Sequence, residues 1–204
     1  MMVFALALVL AAGNPAKTST YPFDNYITAV KQHRPTARIT RFANVCGTPI
    51  TALLPVYGIG GYSKAVPWKL SRNFPKDVYD MESDFLSTAE IWRLHYTPRV
   101  IDIWSTDAET EEEDMFCLER EGTVKFMRKV YWALPSDGLG WWEFRQDQRF
   151  DANGKWVVTP GRFFDMNGHA LSTPKLDSDD ELNIQRIIDT RKLNEFQFPS
   201  KMLR

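Results

Sequence analysis

The sequence predicts a mainly β protein of the α+β class: an antiparallel meander that forms a curved sheet or partial barrel, with a short N-terminal helix and a C-terminal helix. Three observations carry this reading. From about residue 87 to about 171, aromatic and β-branched runs alternate with turn formers, and no helical segment intervenes. Within that stretch Phe150-Asp151-Ala152-Asn153-Gly154-Lys155 is echoed by Phe164-Asp165-Met166-Asn167-Gly168-His169. Asn-Gly between apolar runs is a strong hairpin signal, because both residues tolerate the positive φ of a type I′ turn. Thr159-Pro160-Gly161 reads as another turn between the copies, which places both Asn-Gly turns at one end of the sheet. Finally, Ser178-Asp179-Asp180-Glu181 has the form of a capping box with Ser178 as N-cap. It opens a run of apolar residues at mostly helical spacing: Leu182, Ile184, Ile187, Ile188 and Leu193.

The elements follow in order. Val3 to Ala12 is one apolar run, too short to cross a bilayer but suited to the core of a signal peptide, with small residues Ala11, Ala12 and Gly13 behind it. Residues 1–13 are read as a leader, although no Lys or Arg precedes the run; an uncleaved anchor and a buried first element are the alternatives. Residues 14–204 then form one exported domain, periplasmic or secreted and bacterial, without a second run long enough to span a membrane. Pro22 to His33 reads as a helix with Asp24 at its N-cap and Pro35 beyond its end. Ala37 to Val45 reads as a first strand. The prolines and glycines between Gly47 and Phe85 predict an irregular connection with one strand near Thr51–Tyr57.

The meander itself reads as strands at Ala89–Tyr96, Arg99–Ser105, Asp114–Arg120, Thr123–Leu134, Gly140–Phe150, Lys155–Thr159 and Arg162–Asp165. The C-terminal helix covers about 178–193, and Phe196 and Phe198 read as a docked tail.

A chain of 204 residues with net charge −1 and no Lys/Arg cluster has little with which to neutralise a nucleic-acid backbone. Its two cysteines, Cys46 and Cys117, belong to no C-x-x-C pair. An oxidising compartment allows them to close a loop, contributing about 3–4 kcal/mol on a chain-entropy account; two separate buried thiols are the alternative.

Several motifs point away from specific chemistry. The acidic run from Asp107 to Asp114 lacks the central glycine of a calcium loop and reads as a solvated hairpin loop. Tyr57-Gly58-Ile59-Gly60-Gly61 matches neither a P-loop nor a dinucleotide fingerprint, and reads as a lid or a tight crossing. His33, His95 and His169 are widely separated, without the spacing of a zinc site, so neither a metal nor a cofactor is expected.

Alternation puts Trp141, Glu143, Arg145, Asp147 and Arg149 on one face of their strand. They read either as a solvated face or as the lining of a cup, with Trp141 and Tyr131 as stacking platforms and Glu143 and Arg145 as polar contacts. Arg128, Gln146 and Gln148 stand out on what reads as the apolar side, because an unpaired polar group in a core is costly. The functional expectation is a non-enzymatic module binding a lipid, another amphiphile or an envelope protein. Alternatives are a small hydrolase or isomerase pairing His95 with Glu90 or Asp102 under Gly58–Gly61, and a structural envelope component.

Overall fold

A computed structural model describes residues 35–47, 55–61, 67–71, 87–106, 110–133, 140–151, 153–165 and 167–204. The leader at 1–13 and the helix expected at Pro22–His33 lie outside these residues. Helix α1 (Pro35–Cys46) precedes strands β1 (Val56–Gly60), β2 (Lys69–Ser71), β3 (Ser87–Leu94), β4 (Thr97–Thr106), β5 (Thr110–Leu118), β6 (Val124–Ala133), β7 (Trp142–Phe150), β8 (Trp156–Val158), β9 (Arg162–Asp165) and β10 (Ala170–Leu171). Helix α2 (Ser178–Gln185), a 3-10 turn (Leu193–Phe196) and the short α3 (Ser200–Leu203) complete the chain. The strands form one curved antiparallel sheet in the order β2-β1-β3-β4-β5-β6-β7-β9-β10, which does not close into a barrel. The meander expected from the sequence is thus present.

The segment read as a first strand at 37–45 is helix. Its apolar residues recur at helical spacing, and Ile39, Phe42, Val45 and Cys46 pack together against Trp92, Val100, Met115, Cys117 and Phe126. A disulfide joins Cys46, the last residue of α1, to Cys117 in β5 across a sequence separation of 71. Gly58 and Gly60 sit within β1 rather than in a lid. A Cβ at Gly58 would stand 2.2 Å from the Met202 side chain, and one at Gly60 2.6 Å from the Trp68 backbone, so this is a tight crossing.

The repeated Asn-Gly phrases do form matching turns, but of a different kind. Asp151 and Asp165 each accept, through Oδ1, the backbone N–H groups two and four residues on. Among the described residues of the two turns, only the glycines, Gly154 (φ 73°) and Gly168 (φ 84°), take positive φ, as in a three-residue hairpin loop rather than a type I′ turn. The turns also lie at opposite ends. β8 and β9 both run antiparallel to β7, pairing Gln148 with Val158 and Arg145 with Arg162, so Thr159-Pro160-Gly161 is a bulge in one interrupted strand. Pro160 has no N–H for the ladder, and Gly161 lies against the Phe144 ring, where a Cβ would come within 2.0 Å.

The sheet buries both faces. On the face here called the tail face, Ile91, Ile101, Ile103, Phe116, Leu118 and Met127 meet Phe196, Phe198 and Met202 of the C-terminal segment. Phe196 stands edge-on to Phe116 at 4.8 Å and stacks on Phe198 at 5.4 Å, so the tail is docked as expected. Helix α2 is shorter than the sequence suggests and its N-cap is Asp177, whose carboxylate accepts from Asp179 N and Asp180 N. It ends at Gln185 because Lys129 Nζ donates to the carbonyls of Asn183 (2.5 Å) and Arg186 (2.9 Å), a cation at the negative end of the helix. Ile187 is left exposed, while Ile188 and Leu193 pack on the core from beyond the helix.

Candidate functional site

The largest departure from the sequence reading is the acidic run. Glu111, Glu112, Glu113 and Asp114 belong to β5, in the middle of the sheet, and all four are buried. Alternation sends Glu112 and Asp114 to the tail face, and Glu111 and Glu113 to the opposite face, beneath α1.

On the tail face the charges are compensated by cations. Arg186 pairs with Glu112 and lies 3.8 Å from Asp114, and Lys129 sits directly across the ladder from Asp114. Burial, reinforced by Glu112, still pushes the Asp114 carboxyl well above its ordinary range, against the pull of Lys129 and Arg186. Burial likewise lowers the pKa of Lys129.

On the α1 face, Glu90 and Asp102 lie opposite one another on β3 and β4. Each accepts the indole N–H of the tryptophan two residues on: Trp92 donates to Glu90 at 2.9 Å, and Trp104 to Asp102 at 3.0 Å. The spacing is the same in Glu90-Ile91-Trp92 and Asp102-Ile103-Trp104, because residues two apart share a face of a strand. Burial first, and then the neighbouring Asp102, pushes Glu90 well above the usual carboxyl range; the Trp92 hydrogen bond opposes this. Glu113 pairs with Arg41 of α1. Burial would lower the Arg41 pKa, but Glu113 and Asp102 outweigh it and raise it.

Beside this pair the sheet and α1 diverge, and a cleft of about 560 Å³ opens between them. Thr40, Arg41, Asn44 and Val45 of α1 form one wall; Arg128, Val130 and Trp132 of β6 with Glu143 and Arg145 of β7 form the other. Trp132 stacks on Trp104 at 5.6 Å with only 10° between their planes, and Trp141 packs into the same cluster. The Trp132 indole N–H donates to Glu143 at 3.0 Å, and Arg145 pairs with Glu143. Arg128 grips Asp147 through two bonds of 2.7 and 2.9 Å. The Arg145 guanidinium also lies 4.5 Å from the centre of the Phe164 ring.

The structure therefore brings together Trp141, Glu143 and Arg145. Tyr131 is placed elsewhere. The β6–β7 register pairs Val130 with Arg145, so Tyr131 points to the tail face, buried, with its hydroxyl donating to Asp180 at 2.9 Å. The same register explains Arg128: it shares a face with Asp147 instead of entering the apolar side. Gln148 does enter that side, wholly buried, and among the described residues its amide atoms have no hydrogen-bond partner.

His95 is not in a strand. With Tyr96 it forms the exposed β3–β4 turn, both residues at positive φ (49° and 72°), and Thr97-Pro98 already begin β4. Glu90 and Asp102 are buried further along those strands beneath Trp92 and Trp104, and Gly58–Gly60 is strand, so the expected His95–carboxylate pair is not assembled. Among the described residues, no group of three or more His, Cys, Asp or Glu is arranged to hold a metal ion. Arg41 and Thr40 were not legible as site residues, because the α1 segment reads as a strand; Arg128 stood out only as a misfit on an apolar face, and the β6–β7 register is what brings it to the site. Comparison with protein-family models, with curated proteins and with solved structures finds no match to this chain.

Proposed function

We propose that the protein is an exported, non-enzymatic binding module that holds a lipid or other amphiphile in the cleft between α1 and the sheet. The cleft itself carries the reading. An apolar and aromatic floor, Val130 and Trp132, lies beside a polar rim of Arg41, Arg128, Glu143 and Arg145. With Thr40 and Asn44 the lining is more polar than apolar, so apolar contact from Val45, Val130 and Trp132 is combined with many groups able to orient a polar head. The Cys46–Cys117 disulfide supports a location in an oxidising compartment and fixes the C-terminal end of the α1 wall to the sheet. No described helix is long and apolar enough to cross a membrane.

A native mass spectrum of the protein purified gently from its own host tests this directly. Extra mass that leaves on denaturation, together with loss of the leader, is the expected result. A bare full-length chain that takes up no amphiphile on incubation would overturn the proposal.

A further inference from the structure

We infer that the head group of the amphiphile is an anion, a phosphate, sulfate or carboxylate, seated among Arg41, Arg128 and Arg145. This rests on the proposed amphiphile site and adds its polarity. Three guanidiniums from three different elements converge on one cleft in a chain whose net charge is only −1. All three remain partly exposed, with side-chain accessibilities of 38%, 31% and 44% for Arg41, Arg128 and Arg145.

Each is already held from one side. Glu113 holds Arg41, Asp147 holds Arg128, and Glu143 holds Arg145. A guanidinium has more N–H donors than these bonds use, so the carboxylates orient the forks and further donors remain on each. This is how a protein preorganises arginine for a planar or tetrahedral anion. Burial first, and then Arg128, Arg41 and Arg162, lower the Arg145 pKa, against an opposing influence of Glu113. A cationic head would meet the three arginines of the cleft, and an uncharged head would leave their donors unused.

The test is calorimetric titration of the full chain with decyl phosphate, decanol and decyltrimethylammonium below their micellar concentrations, and with inorganic phosphate alone. Decyl phosphate is expected to bind at least about tenfold more tightly than decanol, the equivalent of one charge-assisted hydrogen bond. Arg145→Gln is expected to remove most of that preference. Arg149→Gln, an exposed arginine on the same face of β7 that does not line the cleft, is expected to keep it. Equal binding of decyl phosphate and decanol would overturn the anionic head while leaving the amphiphile site standing, and so would tighter binding of decyltrimethylammonium. Inorganic phosphate binding as tightly as decyl phosphate would keep the anion and overturn the amphiphile. Binding of none of the four would overturn both. If Arg145→Gln does not fold, the ligand series on the unaltered protein decides alone.

Discussion

The two faces of the sheet inherit the same difficulty from one strand and resolve it differently. β5 delivers Glu112 and Asp114 to the tail face, and Glu111 and Glu113 to the α1 face. On the tail face the chain supplies two cations: Lys129, wholly buried and bonded to carbonyls at the end of α2, and Arg186, which pairs with Glu112 while its outer side stays exposed. On the α1 face the carboxylates lean on indole N–H groups, on a Glu90 pKa raised by burial and on Arg41, which lines the cleft. A buried charge is tolerated when something is aimed at it. On the tail face a wholly buried lysine is aimed at the carboxylates, whereas on the α1 face the cation is Arg41, which lines the cleft.

The largest effect is expected from Lys129→Met. It removes the buried ammonium across from Asp114 and releases the α2 carbonyls, so a loss of about 3–5 kcal/mol is expected in denaturant unfolding. A loss below about 1 kcal/mol would mean that the tail-face cluster is not what closes that side. Converting both Cys46 and Cys117 to serine is expected to cost about 3–4 kcal/mol by the same measurement, because the loop they close is long. It should also loosen the α1 wall, so affinity for decyl phosphate should fall in proportion more than it does in any tail-face variant of equal stability.

Arg41→Met is expected to cost less, about 1–2 kcal/mol, since water can reach Glu113 through the cleft once the guanidinium is gone. A cost equal to that of Lys129→Met would erase the proposed difference between the faces.

The smallest effect is the pH profile. Glu90 and Asp114 have folded pKa values above their ordinary ones, so the folded state holds more protons between the two values. Unfolding free energy should therefore decline as pH rises from the ordinary carboxyl range through the raised folded values. Glu90→Gln should flatten that decline. Denaturant titrations at stepped pH in which the decline is absent, or is unchanged by Glu90→Gln, would contradict the raised pKa of Glu90.

Much of this fold is legible in the sequence, because strand existence depends on local composition. β3, β4 and β6 to β9 fall close to their expected positions, β5 starts four residues before its expected start, and the Asn-Gly phrases do turn the chain. What local composition does not carry is which strand lies beside which and in what phase. Alternation groups Trp141 with Glu143 and Arg145, but only the β6–β7 register shows that Arg128 and Trp132 join them and that Tyr131 does not. The acidic run illustrates the same limit. Four consecutive carboxylates read as solvated because burying them is costly without partners. Their partners, Arg41, Lys129 and Arg186, are remote in sequence, and nothing local announces them. Pro160-Gly161 reads as a turn for a similar reason: a bulge and a turn use the same residues, and only the pairing of β8 and β9 with one strand separates them.

The central claim is that the α1 face, not the tail face, receives the ligand, and indole N–H resonances read it directly. Trp132 lines the cleft, while Trp68 and Trp142 are buried on the tail side. With the signals assigned by Trp→Phe replacement, titration with decyl phosphate should move the Trp132 resonance progressively and leave those of Trp68 and Trp142 in place. Movement confined to Trp68 or Trp142, or no movement at saturating ligand, would contradict the account.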